Sequence, residues 1–438
     1  MTTTTKKSAG AEATAMQERI IATYNIETAY PLEEAAAAMA GEQSSGTFRP
    51  VPGETPELLA RYGARVEAIE DLGEVAGGPS LPHSRPPASA GPNPRSRRAR
   101  VCISWNLENT GAILPTVWST VLGNLFELRH FSALKLIDLQ LPDAFADAYP
   151  GPAFAVEGTR RVTGVYGRPI VGTIIKPSVG LAPEATAEMA DRMIAAGLDF
   201  LKDDELMGDP PHSPFAERFE AVMKVVDRHA DRTGRKAMYA VNISGDLDAM
   251  RRQLDIIEKR GGTCAMLVLN SVGLAGVVEV RRHSSVVLHG HRAGWGMYDR
   301  SPHLGISYIA YQKFWRLAGV DHLHVNGLAN KFCEPDDSVI ASARACLTPM
   351  FTRTDRPDIV MPVFSSGQSA VQAGDTYRRL GSDDLIFCAG GGIVAHPDGM
   401  EAGVRSIHEA FEAAKAGIPA AEHARTHPAL ARALESFG

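Results

Sequence analysis

The chain has 438 residues, of which 44% are hydrophobic and 22% charged, with a formal net charge of −6. That length exceeds one ordinary domain and points to two, the composition is that of a globular enzyme, and the mild negative charge excludes a nucleic-acid footprint. No apolar run reaches the length that spans a bilayer, so no membrane partner is expected. Five cysteines (Cys102, Cys264, Cys333, Cys346 and Cys388) are scattered and form no C-x-x-C pair. They fit a reduced, cytoplasmic setting better than a disulfide framework.

Residues 1–17 are rich in Thr, Lys, Ser and Ala and read as a disordered tail. Arg19–Glu27 reads as a strand. Pro31 opens an alanine-rich helix to Ala40, and residues 41–48 form a polar loop with two glycines. Arg65–Asp71 alternates weakly, as a strand does. Gly77–Pro94 is a Pro, Gly and Ser loop closed by the basic run Arg95–Arg100, a solvated charged edge. Val101–Trp105 is a strand, Leu114–Asn124 a helix and Ala133–Leu141 an alternating strand. Strands and helices interleaved over 18–150 indicate a small α+β domain.

From Pro169 the pattern becomes regular. Strand-like runs are predicted at Pro169–Pro177, Asp199–Glu205, Lys236–Ser244, Cys264–Val272, Ser284–Arg292, Asp321–Gly327, Ile359–Gly367 and Leu385–Ile393. Helix-like runs separate them, at Pro183–Ala196, Phe215–Ala230, Leu247–Arg260, Ile306–Leu317, Asp336–Leu347 and Gly399–Ala416. Eight strands alternating with helices over roughly 250 residues is the count of a (β/α)8 TIM barrel. An open doubly wound sheet would place G-x-G-x-x-G after its first strand, and none is there.

Active sites of barrels lie at the carboxyl ends of the strands. The predicted ends carry Lys176, then Lys202, Asp204 and Glu205, then Asn242. They continue with His289, His291 and Arg292, then His324 and Asn326 with Lys331 beyond. Ser365, Ser366 and Gly367 follow, and Gly390-Gly391-Gly392 comes last. Alternate strand residues share a face, so Lys202 and Asp204 point one way and Glu205 can turn back toward them. That cluster suits a hard divalent cation, with carbon dioxide added to a neutral lysine as a further oxygen ligand; a salt-bridged strand end is the alternative. The glycines after strand 8 and Ser366-Gly367 sit where barrels bind phosphate through backbone N–H groups. Arg292 and Lys331 offer charge to a phosphate or carboxylate. Lys176, among cationic and apolar neighbours, is a candidate base. His291 and His324 are candidates for proton transfer or hydroxyl binding. Metal, base and phosphate grips together suit enolisation of a sugar phosphate.

These residues carry a resemblance. Gly172-Thr-Ile-Ile-Lys176-Pro-Ser-Val-Gly-Leu181, Asp199–Glu205, His289-Gly-His291-Arg292-Ala and Asp321-His-Leu-His324 with Lys331 resemble the large subunit of ribulose-bisphosphate carboxylase. The likeness is closer to the RuBisCO-like proteins of form IV and runs from about residue 18 to about 420. It implies a ferredoxin-like α+β domain over 18–150 and a (β/α)8 barrel over 151–438. It implies Lys176 as the catalytic base and Lys202 as the carbamylated lysine. Asp204 and Glu205 become Mg2+ ligands, and Arg292 grips a phosphate. Ser366, Gly367, Gly391 and Gly392 form the far phosphate site. Glu42, Thr47 and Asn124 fall on positions that reach the partner subunit's site, so a homodimer is expected.

Departures accompany the likeness. Ser178 stands where the carboxylase has a second lysine, and Cys333 where its loop carries an acid. Phe48 replaces a tryptophan, Trp295 a histidine and Gln368 a glycine. The serine removes a cation that tunes the base and the metal site, the loop change touches the part that holds CO2 and closes over the substrate, and both weigh against carboxylation of ribulose 1,5-bisphosphate. The favoured expectation is Mg2+-dependent decarboxylation of a 3-oxo sugar-acid phosphate. The alternative is a 5-methylthio-sugar-phosphate enolase or isomerase.

Overall fold

The computed structural model describes residues 18–46, 51–352 and 358–438; the expected tail at 1–17 lies outside them. The described residues form thirteen strands. These are β1 (Arg19–Thr28), β2 (Arg65–Glu74), β3 (Arg97–Asn106), β4 (Phe131–Gln140), β5 (Ile170–Ile174), β6 (Phe200–Lys202) and β7 (Met238–Asn242). They continue with β8 (Cys264–Val268), β9 (Val287–His291), β10 (Leu304–Ile306), β11 (His322–His324), β12 (Met361–Phe364) and β13 (Ile386–Cys388). Two compact units result: residues up to Tyr149 with Gly294–Phe314, and Pro150–Ala293 with Trp315–Gly438.

The first unit holds a sheet in the order β10-β4-β1-β3-β2. From β4 to β2 every neighbour is antiparallel. Helices connect β1 to β2 (Leu32–Glu42, Pro56–Tyr62) and β3 to β4 (Leu114–Leu122). That is the split βαβ plan of a ferredoxin-like domain. β1 is buried along its length, whereas β2 is an exposed edge. The edge carries charge, as exposed edges do. Here the basic run differs from the expected loop end: Arg97–Arg100 belong to β3, pairing with Asp71 and Glu70 of β2 and, through Arg98, with buried Glu27 of β1. β10 adds a parallel strand against β4, so the helix expected from Ile306 begins at Tyr308. Only glycine fits at 305, where φ is +111° and a Cβ would stand 1.7 Å from the Tyr298 carbonyl oxygen.

The second unit is a closed parallel barrel, β5-β6-β7-β8-β9-β11-β12-β13, with helices between strands. All eight expected strands are present, each shorter than the run predicted for it. Parallel strands buried on both faces read as continuous apolar runs, and the run continues past the last ladder hydrogen bond into the rim. Ile170, Phe200, Met238, Ala240, Met266, Val287, Val363 and Ile386 fill the interior. Two strand ends differ in kind. β8 stops at Val268, and Leu269–His283 is a helix kinked at Gly273, which has φ +77°. β13 stops at Cys388, and Gly391–Val394 is a helical turn. No helix of the described residues is long and apolar enough to cross a membrane.

Candidate active site

Alternation along β6 sorts its charged end into two jobs. Asp203 faces one way and is buried: its carboxylate accepts from Tyr239 Oη at 2.6 Å and the Asn242 N–H at 3.1 Å, and pairs with buried Arg218 at 3.2 Å. Arg218 in turn donates to the carbonyls of Ser213, Met207 and Gly208. The loop that follows Glu205 is thus tied down through a carboxylate to which the sequence reading assigned no role.

Lys202 and Asp204 occupy the other face. Lys202 is 1% exposed, and its Nζ donates to the Asp203 carbonyl at 2.7 Å. Burial pulls its ammonium below the ordinary value, against the opposing charges of Glu205, Asp204 and Asp203. Burial pushes Asp204 up, but its hydrogen bond and charge from Lys176 prevail and leave it below the usual carboxylate value. Asn242 Nδ2 holds the carbonyls of Asp204 and Glu205 at 3.3 Å. Glu205 and Asp204 both lie within electrostatic reach of the Lys202 amine.

The surroundings of Lys176 differ from the expectation of cationic and apolar neighbours. Its Nζ donates to Asp204 Oδ2 at 2.6 Å and to Ser178 Oγ at 2.7 Å. A carboxylate and a hydroxyl orient it, because the residue two positions on is serine and the face-sharing residue of β6 is an aspartate. Gly390 approaches closely, its Cβ direction 3.9 Å from Lys176 Cε.

Four histidines line the ends of β9 and β11. Thr159 Oγ1 donates to the Ala155 carbonyl, so it accepts from His322 Nε2 at 2.9 Å. His322 Nδ1 then accepts from His289 Nδ1 at 3.3 Å, and His289 Nε2 accepts from His324 Nε2 at 2.8 Å. His324 Nδ1 is left to accept from Ser365 Oγ at 2.9 Å. The threonine's donation to a carbonyl therefore sets every tautomer in the chain. Both ring nitrogens of His324 are engaged there. His291 is turned differently: its Nδ1 accepts from the Ala293 N–H, which leaves Nε2–H directed at Glu205, 3.5 Å away. Burial holds His289, His291 and His324 well below the ordinary imidazole value and His322 at about 3, so all are neutral.

The loop after β11 is clasped at its base. Glu334, whose side chain is 9% exposed, pairs with Arg292 at 3.0 Å and accepts from Asn326 Nδ2 at 2.5 Å and Ser338 Oγ at 3.0 Å. Asn326 Oδ1 accepts from Ser366 Oγ at 2.9 Å. Ser366 and Gly367 are both left-handed, at φ +74° and +79°, and the Ser366 carbonyl accepts from the Lys331 N–H at 3.4 Å. Buried Gln368 donates to the Leu328 and Ser366 carbonyls, its amide so close that a Cβ at Gly327 would stand 2.1 Å from it. A Cβ at Gly392 would stand 2.4 Å from the Gln368 carbonyl oxygen. Lys331 itself is exposed. Sequence reasoning missed Glu334, since a single acid in a loop has no periodicity to mark it.

In the first unit, exposed Asn124 has its Nδ2 3.5 Å from Oε1 of half-buried Glu42, beside a cleft of about 420 Å³ lined by Gln43, Trp118, Leu122 and Asn124. Trp295 packs against Tyr308 and Tyr311. Thr47 and Phe48 lie outside the described residues.

Comparison with known proteins gives consistent matches. The family "Ribulose bisphosphate carboxylase large chain, catalytic domain" matches residues 155–437, and its N-terminal domain matches 10–145. A 3-oxo-isoapionate-4-phosphate transcarboxylase/hydrolase of Xanthobacter autotrophicus is 52% identical over 96% of this chain and 99% of that protein. A 3-oxo-isoapionate-4-phosphate decarboxylase of Rhizobium etli is 44% identical over 95% of this chain and 98% of that protein. The crystal structure of a rubisco-like protein from Burkholderia fungorum superimposes with a TM-score of 0.89 at 45% identity, covering 96% of this chain and 100% of that one.

Proposed function

The chain belongs to the ribulose bisphosphate carboxylase large-chain family, and within it we propose a Mg2+-dependent carboxy-lyase acting on 3-oxo-isoapionate 4-phosphate or a close 3-oxo sugar-acid phosphate. Relatives at 52% and 44% identity over nearly the whole chain act on that substrate by name. The observation that carries the chemistry is Lys202, a fully buried amine that burial tips toward its neutral form, beside Asp204 and Glu205.

A neutral amine is the form that adds carbon dioxide. The carbamate with the two carboxylates would give an all-oxygen donor set, which fits Mg2+. When bound, the ion supplies Lewis-acid polarisation of the substrate carbonyl. The protein's own groups do the rest. In decarboxylation the bond to the carboxylate breaks, its electron pair passes to the adjacent 3-oxo group as an enediolate, and CO2 leaves. A proton then goes to the carbon that lost CO2, and Lys176 Nζ, oriented by Asp204 and Ser178, is the donor. His291 Nε2–H, which faces Glu205, would be released to a substrate hydroxyl when Glu205 serves as a metal ligand. The backbone N–H groups of Gly391 and Gly392, at the start of a helical turn, hold the phosphate with Ser366, Gly367 and Lys331. Arg292 is matched by Glu334, which suits a substrate with one phosphate rather than two.

Glu42, Thr47 and Asn124 of one subunit complete the site of the other in a homodimer. The cysteines are all free thiols, which fits a cytoplasmic setting.

The test is substrate carrying 13C in its carboxylate, turned over in D2O. Release of the label as CO2 supports decarboxylation. Label kept in a carboxylic-acid product would make the enzyme a transcarboxylase/hydrolase. Deuterium entry without carbon loss would make it an enolase or isomerase.

A further inference from the structure

At the carboxyl end of the chain three ligand-bearing side chains meet. Helix Met400–Lys415 carries Glu412, and the short helical segment 420–426 and its end carry His423 and His427. One ligand atom from each lies within 4.8 Å of the others. The two histidines are four residues apart on one helical face, and their rings stack at 3.7 Å and 14°.

Two details go beyond proximity. His427 Nδ1 is 2.8 Å from the His423 carbonyl, which can only accept, so Nδ1 carries the proton and the lone pair sits on Nε2. A ring nitrogen tied to a backbone carbonyl, with the opposite nitrogen left to ligate, is the usual support for a metal-binding histidine. The Nε2 of His423 is buried and has no hydrogen-bond partner among the described residues. A buried polar atom left without a partner is costly, and coordination satisfies it.

We propose that Glu412, His423 and His427 form a binding site for a borderline transition-metal ion of the Zn2+ class, fastening the carboxyl-terminal segment to helix Met400–Lys415. Two imidazoles and one carboxylate select Zn2+, Co2+, Ni2+ or Cu2+, whereas the oxygen donors at the barrel mouth suit Mg2+. Three protein ligands leave a fourth position to water. The site is remote in sequence from β6 and does not depend on the reaction proposed above.

The experiment uses the full-length protein without a histidine tag, carrying Lys202→Ala to remove the barrel-mouth site, in buffer with excess Mg2+. Zn2+ is titrated by competition with a chromophoric chelator, and Co2+ by visible absorption. The expected result is one equivalent bound per chain, with the intense Co2+ absorption of a four-coordinate site. Glu412→Gln, an exposed change that spares the fold, weakens binding by at least roughly tenfold. His423→Gln and His427→Gln each abolish it, while circular dichroism shows the helices retained. No equivalent of Zn2+ bound, or binding unchanged in Glu412→Gln and both histidine variants, overturns the proposal.

Discussion

Asp203→Ala should be among the most damaging single changes at the barrel mouth, although Asp203 is assigned no contact with substrate. Its carboxylate is 1% exposed and serves Tyr239 Oη, the Asn242 N–H and Arg218, which is itself 1% exposed. Removing it leaves a buried guanidinium without its counter-charge. Breaking a buried pair in this way costs about 3–5 kcal/mol, and stranding a buried donor adds roughly 1–3 kcal/mol. Asp203→Asn keeps an oxygen for Arg218 and the Asn242 N–H, and its amide can donate to the Tyr239 hydroxyl. It should therefore cost less, about 1–3 kcal/mol. Urea unfolding of both variants beside the parent gives the two values as midpoint shifts at constant slope. Mg2+ affinity should fall in the same order, because Arg218 anchors the loop that follows Glu205. Two variants within about 1 kcal/mol of the parent would refute the reasoning, since that is what an exposed, screened pair is worth.

Glu334→Gln removes the counter-charge of Arg292. Competitive inhibition by ribulose 1,5-bisphosphate should tighten by roughly tenfold to a hundredfold, the worth of one charge-assisted hydrogen bond, while inhibition by a monophosphate barely moves; equal changes for both would sink the one-phosphate reading. His322 is held at about 3 by burial, against an ordinary value of 6.5. The unfolded chain takes up a proton below 6.5 that the folded chain refuses, so stability present above that pH is lost as pH falls, by about 1.4 kcal/mol per pH unit for this residue. His322→Gln should flatten the acid limb of the stability profile by that slope, and an unchanged slope would contradict it. Gly392→Ala forces a Cβ to 2.4 Å from the Gln368 carbonyl oxygen. Its KM for substrate should rise with Lys202-dependent Mg2+ binding intact, and an unaltered KM would remove the glycine turn from the phosphate grip.

The barrel was legible because its strands are short, apolar on both faces and followed by the residues the chemistry needs. Lys202 and Asp204 sharing a face follows from strand alternation alone. The ends of β8 and β13 were not legible: Val268–Val272 is interrupted only by Asn270-Ser271 and Ala389–Ile393 is apolar or glycine, so composition does not mark where a strand becomes a helix. β10 was missed because three residues around Gly305 carry no period. The tautomer chain from Thr159 to Ser365 joins residues up to 206 positions apart, counted from their numbers, and only the closed barrel brings them into line. Glu334 became visible for the same reason, once the fold set it against Arg292.

One comparison bears most directly on the central claim. Parent and Lys202→Ala are given 3-oxo-isoapionate 4-phosphate with Mg2+ and bicarbonate, and CO2 release and Mg2+ binding are followed together. The parent should release CO2 only with Mg2+, and the variant should lose turnover and Mg2+ binding at once. A Lys202→Ala protein that still binds Mg2+ and releases CO2 would contradict the carbamate-centred site, and a parent that leaves this substrate untouched would contradict the assigned reaction.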